Sequence, residues 1–207
     1  IQAEGGVNVP SEDYLKKVRE WCDQKGILLI LDEVQTGMGR LGALFGYQLY
    51  GIEPDIITLA KGMGGGVPIG AFLCNEKADV FKSGEHGSTF GGNPLVCAVA
   101  YAVTNYIIEN DVAGNARRVG EYLGTRLVGL KAKHGFIVDV RGRGLLWAIE
   151  FNKDMAEAVM LGCLEKGLLV NKLKPNAIRL IPPLIITKKD VDEATVILQK
   201  VLARQGG

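Results

Sequence analysis

Two short, nearly continuous apolar runs constrain this chain more than any other feature. Ile27 to Leu31, and Ile56-Ile57-Thr58-Leu59, lack the polar alternation of a strand with one wet face. That pattern belongs to strands covered on both faces, as in parallel sheets. A helical stripe of Leu15, Val18 and Cys22 precedes the first run. Ser11 offers it a cap, Glu12 and Asp13 fill its first turn, and Gly26 ends it. Ala71-Phe72-Leu73 reads as a third strand. Asn93-Pro94 then sets a cap and a first-turn proline ahead of an apolar helix from Leu95 to about Ile108. Helices and strands alternating in this way predict parallel α/β structure over residues 1–100.

The character changes after that helix. A helix is predicted over residues 112–130, then strands Ile137 to Val140 and Leu145 to Phe151, joined across Gly142 and Gly144. A helix over 153–166 stops at Gly167, and strands Leu168 to Asn171 and Ile178 to Ile181 follow. Thr187 with Asp190 caps a last helix carrying Val191, Ala194, Leu198 and Val201. This order predicts a small α+β unit over residues 101–207.

Composition excludes several classes of function. A net charge of +1 gives no electrostatic case for nucleic acid or an anionic membrane. No apolar stretch reaches transmembrane length and no signal peptide is visible, so the expected setting is the cytoplasm. Cys22, Cys74, Cys97 and Cys163 lie far apart without a C-x-x-C pair, which predicts buried thiols and no metal framework. The chain opens abruptly at Ile1-Gln2-Ala3-Glu4-Gly5-Gly6, as expected of a processed N-terminus or a piece of something longer.

The chemistry is concentrated between Leu31 and Gly70. Asp32 and Glu33 stand where the first apolar run ends, and Lys61 stands just past the second. In open parallel sheets, ligands bind outside the carboxyl ends of strands. Gly62, Gly64, Gly65 and Gly66 leave bare backbone beside the lysine. A lysine and a carboxylate at neighbouring strand ends suit pyridoxal phosphate: the amine forms a Schiff base, and the carboxylate keeps the pyridine nitrogen protonated. On spacing alone, a structural cap, a solvated amine and an ordinary glycine loop remain open.

The longer motifs narrow that choice. Leu31-Asp32-Glu33-Val34-Gln35-Thr36-Gly37-Met38-Gly39-Arg40 resembles the aspartate signature of class III aminotransferases, and Pro54-Asp55-Ile56-Ile57-Thr58-Leu59-Ala60-Lys61-Gly62 resembles their lysine segment. Ser88-Thr89-Phe90-Gly91-Gly92-Asn93-Pro94 and Ile178-Arg179-Leu180-Ile181-Pro182-Pro183-Leu184 resemble two further motifs of that family. The resemblance runs along the whole chain. It implies part of the large domain of fold-type-I pyridoxal-phosphate enzymes, followed by a small α+β C-terminal domain. Lys61 would carry the cofactor and shuttle a proton during transamination. Asp32 would pair with the pyridinium nitrogen, Glu33 would sit among the cofactor-binding residues, Gln35 would approach the phenolic oxygen, and Val34 would pack on one ring face.

Thr89 would bind the phosphate of a neighbouring subunit's cofactor, with Ser88 next to substrate there, which implies a homodimer with shared active sites. Arg179 would hold a carboxylate of glutamate or 2-oxoglutarate through a bidentate fork. Glu4 matches the family glutamate that pairs with that arginine. His86 matches no family role, and His134 before Gly135 reads as solvated. Gly64 to Gly70 and Gly167 to Asn171 are most similar to the acetylornithine branch. That implies amino transfer between N-acetylornithine and 2-oxoglutarate in arginine synthesis. Ornithine or 4-aminobutyrate transamination, an aminomutase, and an inactive module that only associates are the alternatives. The family's N-terminal region, with its Gly-Thr phosphate contact, stacked aromatic and substrate arginine, has no counterpart here.

Overall fold

The computed structural model describes residues 1–205. They form two compact units: Pro10–Ala113, and a second in which Ile1–Val9 joins the chain from Gly114 onward.

In the first unit, α1 (Tyr14–Lys25) turns Cys22, Leu15 and Val18 toward Leu29, Tyr50 and Ile52. Gly26 ends the helix at φ 65°, a left-handed conformation that only glycine adopts freely. Ser11 does not cap the helix as the sequence suggested. Its hydroxyl donates to Asp13 Oδ1 at 2.7 Å, and the helix begins at Tyr14.

Three strands, β1 (Ile30–Asp32), β2 (Ile56–Leu59) and β3 (Ala71–Cys74), lie in that order in one sheet. β1 and β2 run parallel, Ile30 opposite Ile56 and Asp32 opposite Thr58. β3 runs antiparallel to β2, so the sheet is mixed where the sequence predicted parallel. β1 is also shorter than the apolar run and is not buried on both faces. Leu29 is buried, but Ile27, Leu28 and Ile30 are exposed, as are Phe72 and Leu73 on β3. Asn93 caps α2 (Pro94–Glu109) by accepting the Val96 amide at 3.2 Å.

The later elements are α3 (Val112–Lys133), β4 (Ile137–Arg143), β5 (Leu146–Phe151), α4 (Ala156–Leu164), β6 (Asn171–Lys174), β7 (Ala177–Leu180) and α5 (Lys188–Ala203). Their sheet is antiparallel throughout, in the order β4-β5-β7-β6. Val140, Ile149 and Ile178 share a row on one face and join a core with Leu127 of α3, Val159 of α4 and Leu198 of α5. Burial of each such side chain contributes about 1.5–3 kcal/mol. β6 lies three residues beyond its predicted start, because Leu168 and Val170 pack onto this core and the ladder begins only at Asn171. Asp190 accepts both the amide and the hydroxyl of Thr187 at 2.7 Å, fixing the start of α5.

All four cysteines are free thiols, but only Cys22 and Cys163 are buried; Cys74 and Cys97 are exposed, contrary to expectation. Burial pushes the Cys163 thiol up to about 11. Among the described residues no helix is long and apolar enough to cross a membrane, and no cluster of His, Cys, Asp and Glu is placed to hold a metal.

Candidate active site

The parallel pairing of β1 with β2 brings two of the expected residues to the same end of the sheet. Asp32 closes β1 opposite Thr58, and Lys61 follows three residues later, opening a 3-10 turn over Lys61–Gly64. Both side chains are exposed. Asp32 Oδ1 accepts the Val34 amide at 2.9 Å, which fixes the carboxylate against the turn that holds half-buried Val34 and Gln35. Lys61 sits at φ 43°. A non-glycine residue there carries roughly 1–3 kcal/mol of strain, which surrounding structure must hold. The turn has that support. At Gly65, φ 57°, an added Cβ would lie 2.7 Å from Val103 Cγ2 on α2, so the backbone presses directly on the helix.

Glu33 differs from its expected place among the cofactor ligands. Its neighbour Asp32 faces out, and successive residues of an extended chain point to opposite sides. Its carboxylate is therefore buried. It accepts the Thr36 hydroxyl at 2.5 Å and the Gly46 and Tyr47 amides at 2.9 and 2.8 Å. Glu33 braces the loop after the aspartate signature and presents no free carboxylate to a ligand.

A second internal carboxylate escaped the sequence reading. Asp55 accepts the Leu29 amide and Arg19 Nη1, both at 2.7 Å, and Asn75 Nδ2 at 3.0 Å. It thus ties the segments leading into β1 and β2 to the end of β3. The Leu29 amide, and then the Arg19 guanidinium, hold its carboxyl well below the usual range. The pairing of an aspartate with an arginine 36 residues earlier leaves no local signal in the sequence.

Ser88 and Thr89 lie on an exposed turn before α2. Ser88 Oγ accepts the Gly91 amide at 2.9 Å. A cleft of about 530 Å³ opens between this turn and the loop after the Lys61 glycines, lined by Pro68 to Gly70 and Phe90 to Asn93. His86 packs near the Phe81 ring. His134 is half-buried against Phe136, with 5.3 Å between ring centroids, where the sequence suggested a solvated residue.

The second unit carries the other expected pair. Arg179 on β7 has a side chain only 10% exposed, and its Nη1 lies 2.9 Å from Glu4 Oε1. The Glu4 side chain is 68% exposed. Solvent screens an ion pair with one partner that open, so it contributes little to stability. The arrangement provides an amine and a carboxylate at the ends of neighbouring strands, and separately an arginine already paired with a carboxylate.

Comparisons with known proteins agree with these motifs. The profile of the family described as Aminotransferase class-III matches residues 1–202. The chain is 48% identical over 203 residues to acetylornithine aminotransferase of Caldanaerobacter subterraneus subsp. tengcongensis, covering 98% of this chain and 52% of that protein. Against the enzyme of the same name from Methanothermobacter thermautotrophicus it is 47% identical over 206 residues, covering 98% and 52%. The chain therefore spans about half the length of these curated relatives. Among solved structures, ornithine δ-aminotransferase of Plasmodium falciparum superposes with TM-score 0.95 at 39% identity, covering all of this chain and 55% of the other. Acetylornithine aminotransferase of Elizabethkingia anophelis gives TM-score 0.94 at 40% identity, covering 99% and 52%. With its one mixed and one antiparallel sheet, its four ordered motifs and a family match over nearly its whole length, the chain belongs to the class III aminotransferases.

Proposed function

We propose that this chain supplies the cofactor lysine and the carboxylate grip of a pyridoxal-phosphate-dependent transaminase that moves an amino group between N-acetylornithine and 2-oxoglutarate. The observation that carries this reading is the placement of Asp32 and Lys61 at neighbouring ends of parallel β1 and β2. The residues present fit the group: an exposed amine, an exposed anchored carboxylate, and bare backbone from Gly64 to Gly66. When bound, pyridoxal phosphate supplies the electron sink for charge that develops at the substrate carbon.

The chain's own residues do the rest. Lys61 Nζ holds the cofactor, then takes a proton and returns it at the reacting carbon. Asp32 would hold a positive charge on the ring nitrogen of the bound cofactor. Gln35 would donate to the cofactor's phenolic oxygen, and Val34 would supply apolar surface to its ring. Glu33 acts indirectly, by holding the loop after the signature in place. Arg179 binds the carboxylate of glutamate or 2-oxoglutarate, and Glu4 occupies that fork when a substrate brings no carboxylate to it. Ser88 and Thr89 serve the site of a second copy, in a homodimer with shared active sites.

In this reading the first compact unit belongs to a large cofactor domain and the second to a small C-terminal domain. The sequence placed that division at residues 1–100 and 101–207. A role in arginine synthesis fits the name acetylornithine aminotransferase that the curated relatives carry, and the cytoplasm is the setting proposed for it. A second reading, ornithine δ-amino transfer, draws support from the likeness to the Plasmodium falciparum enzyme. The test uses the complete enzyme. Glutamate formation from N-acetylornithine and 2-oxoglutarate should be abolished by Lys61→Ala with the fold intact, and near-parental turnover would reject the assignment. A donor preference for free ornithine would select the second reading.

A further inference from the structure

The face of the second sheet turned away from the helices carries a row of three paired residues: Arg141 on β4, Ala148 on β5 and Arg179 on β7. Directly paired residues point to the same side, and neighbouring strands are 4.7–4.9 Å apart, so the two arginine stems stand roughly 10 Å apart. Between them Ala148 is fully buried and lacks the bulk to push anything off the face.

The segment at residues 1–9 meets both arginines. It is a tight turn, closed by the Val7 amide on the Ala3 carbonyl at 3.2 Å and by reciprocal Gln2–Asn8 backbone bonds at 3.1 and 3.0 Å. Arg179 reaches Glu4 within the turn. Arg141 holds the turn's far side. Its Nη2 donates to the Gly6 carbonyl at 2.7 Å, and its Nε lies 3.1 and 3.2 Å from the Gly6 and Val7 carbonyls. Its remaining nitrogen, Nη1, is held at 2.7 Å by Asp139 and by Glu150, which pair with each other in the next row of the same face. A planar guanidinium fixed on one edge by two carboxylates thus offers its other edge to two backbone carbonyls. Val7 is fully buried at φ 51°. A β-branched residue stays in the left-handed region only where its surroundings enforce it.

We infer that Arg141 is a positioning residue of the carboxylate site: it clamps the Gly6–Val7 backbone so that Glu4 stands over Arg179, and thereby sets how readily a substrate carboxylate displaces Glu4. The inference rests on the proposed role of Arg179 as the carboxylate grip. The clamp separates two tasks. The backbone of the turn is fixed, while the Glu4 side chain stands 68% exposed beside Arg179, where a substrate carboxylate competes with it. Glu4 competes with substrate for one fork, so loosening the turn lowers Glu4 occupancy and frees Arg179 for glutamate.

The test compares Arg141→Lys, Glu4→Gln and the double variant in the complete enzyme. Lysine keeps the positive charge that Asp139 and Glu150 require, but as a point charge it cannot hold two carbonyls while bonded to both. Two readouts are needed. Hydrogen exchange at the Gln2, Val7 and Asn8 amides reports the turn. The kcat/KM ratio for glutamate over N-acetylornithine, measured in single half-reactions, reports the fork. Arg141→Lys should speed exchange at these amides and shift the ratio toward glutamate by about fivefold to tenfold, chiefly through a lower KM for glutamate. Glu4→Gln should shift the ratio in the same direction without loosening the turn, and the double variant should shift it no further than Glu4→Gln alone. Exchange and ratio both unchanged in Arg141→Lys would overturn the inference. So would additive shifts in the double variant, which would mean that Arg141 acts on the site by another route. If Glu4→Gln shifts the ratio and Arg141→Lys does not, the clamp fails and the carboxylate reading stands. If neither variant shifts it, the carboxylate reading falls and takes the clamp with it. Should Arg141→Lys fold poorly, Arg141→Gln with the same readouts replaces it, judged by the same outcomes.

Discussion

Replacing Asp55 by alanine removes the carboxylate on which the Leu29 amide, Arg19 and Asn75 converge. Removing one member of a buried ion pair costs about 3–5 kcal/mol, because its partner is left buried and uncompensated. Here Arg19 retains Asp23 at 2.6 Å and keeps 14% of its side chain in solvent, so the lower end applies. About 3 kcal/mol, at 1.4 kcal/mol per factor of ten, is roughly a hundredfold in an opening equilibrium. The assay is native-state hydrogen exchange in the complete enzyme, read at the Ile56 amide, bonded to the Leu29 carbonyl at 3.2 Å, and at the Asn75 amide, bonded to the Asp55 carbonyl at 3.0 Å.

Both amides should exchange about a hundredfold faster in Asp55→Ala. The pH dependence has a definite sign. The folded carboxyl lies below its ordinary value, held there first by the Leu29 amide and then by Arg19. Its contribution is complete above the unfolded value of about 3.9 and is lost as pH falls through the folded value. The difference between parent and variant should therefore be constant near neutrality and shrink only in strong acid. Rates within about threefold of the parent at neutral pH would refute the brace.

Asp32→Asn in the complete enzyme should lower turnover by orders of magnitude with a smaller loss of cofactor binding, since shape is kept and charge removed. An unchanged rate would make Asp32 structural. Arg179→Lys should impair kinetics with glutamate and 2-oxoglutarate, because an ammonium cannot reproduce the fork; unchanged constants for both would place the carboxylate grip elsewhere. A protein consisting of residues 1–207 alone, its mass confirmed, should form no glutamate from N-acetylornithine and 2-oxoglutarate after addition of pyridoxal phosphate. Robust turnover by that chain would show that the proposed site does not depend on family segments outside it.

Features set by local chemistry were legible in the sequence. The Asn93-Pro94 cap, the Thr187–Asp190 box and the Gly26 stop act within one turn of chain, and each stands where its residues placed it. The reversal of β3 was not legible, because strand direction is decided by pairing with β2 and leaves no mark on Ala71-Phe72-Leu73. The start of β6 was missed for a related reason. Leu168 and Val170 have strand-like composition, and only the tertiary core claims them. The resemblance sets Glu33 with Asp32 among the cofactor-binding residues, although the two-residue period of extended chain already separates their directions. Asp55 and Arg141 bind partners 26 and more than 130 residues away, and such pairings become visible only in the fold.

The central claim is that Lys61 carries the cofactor, and locating that attachment tests it most directly. The complete enzyme, loaded with pyridoxal phosphate and reduced with borohydride, should carry one stable phosphopyridoxyl group per chain. Digestion and mass spectrometry should find it on the peptide containing Pro54 to Gly62, at Lys61. A label on another lysine, or none at all in an enzyme that still transaminates, would contradict the account.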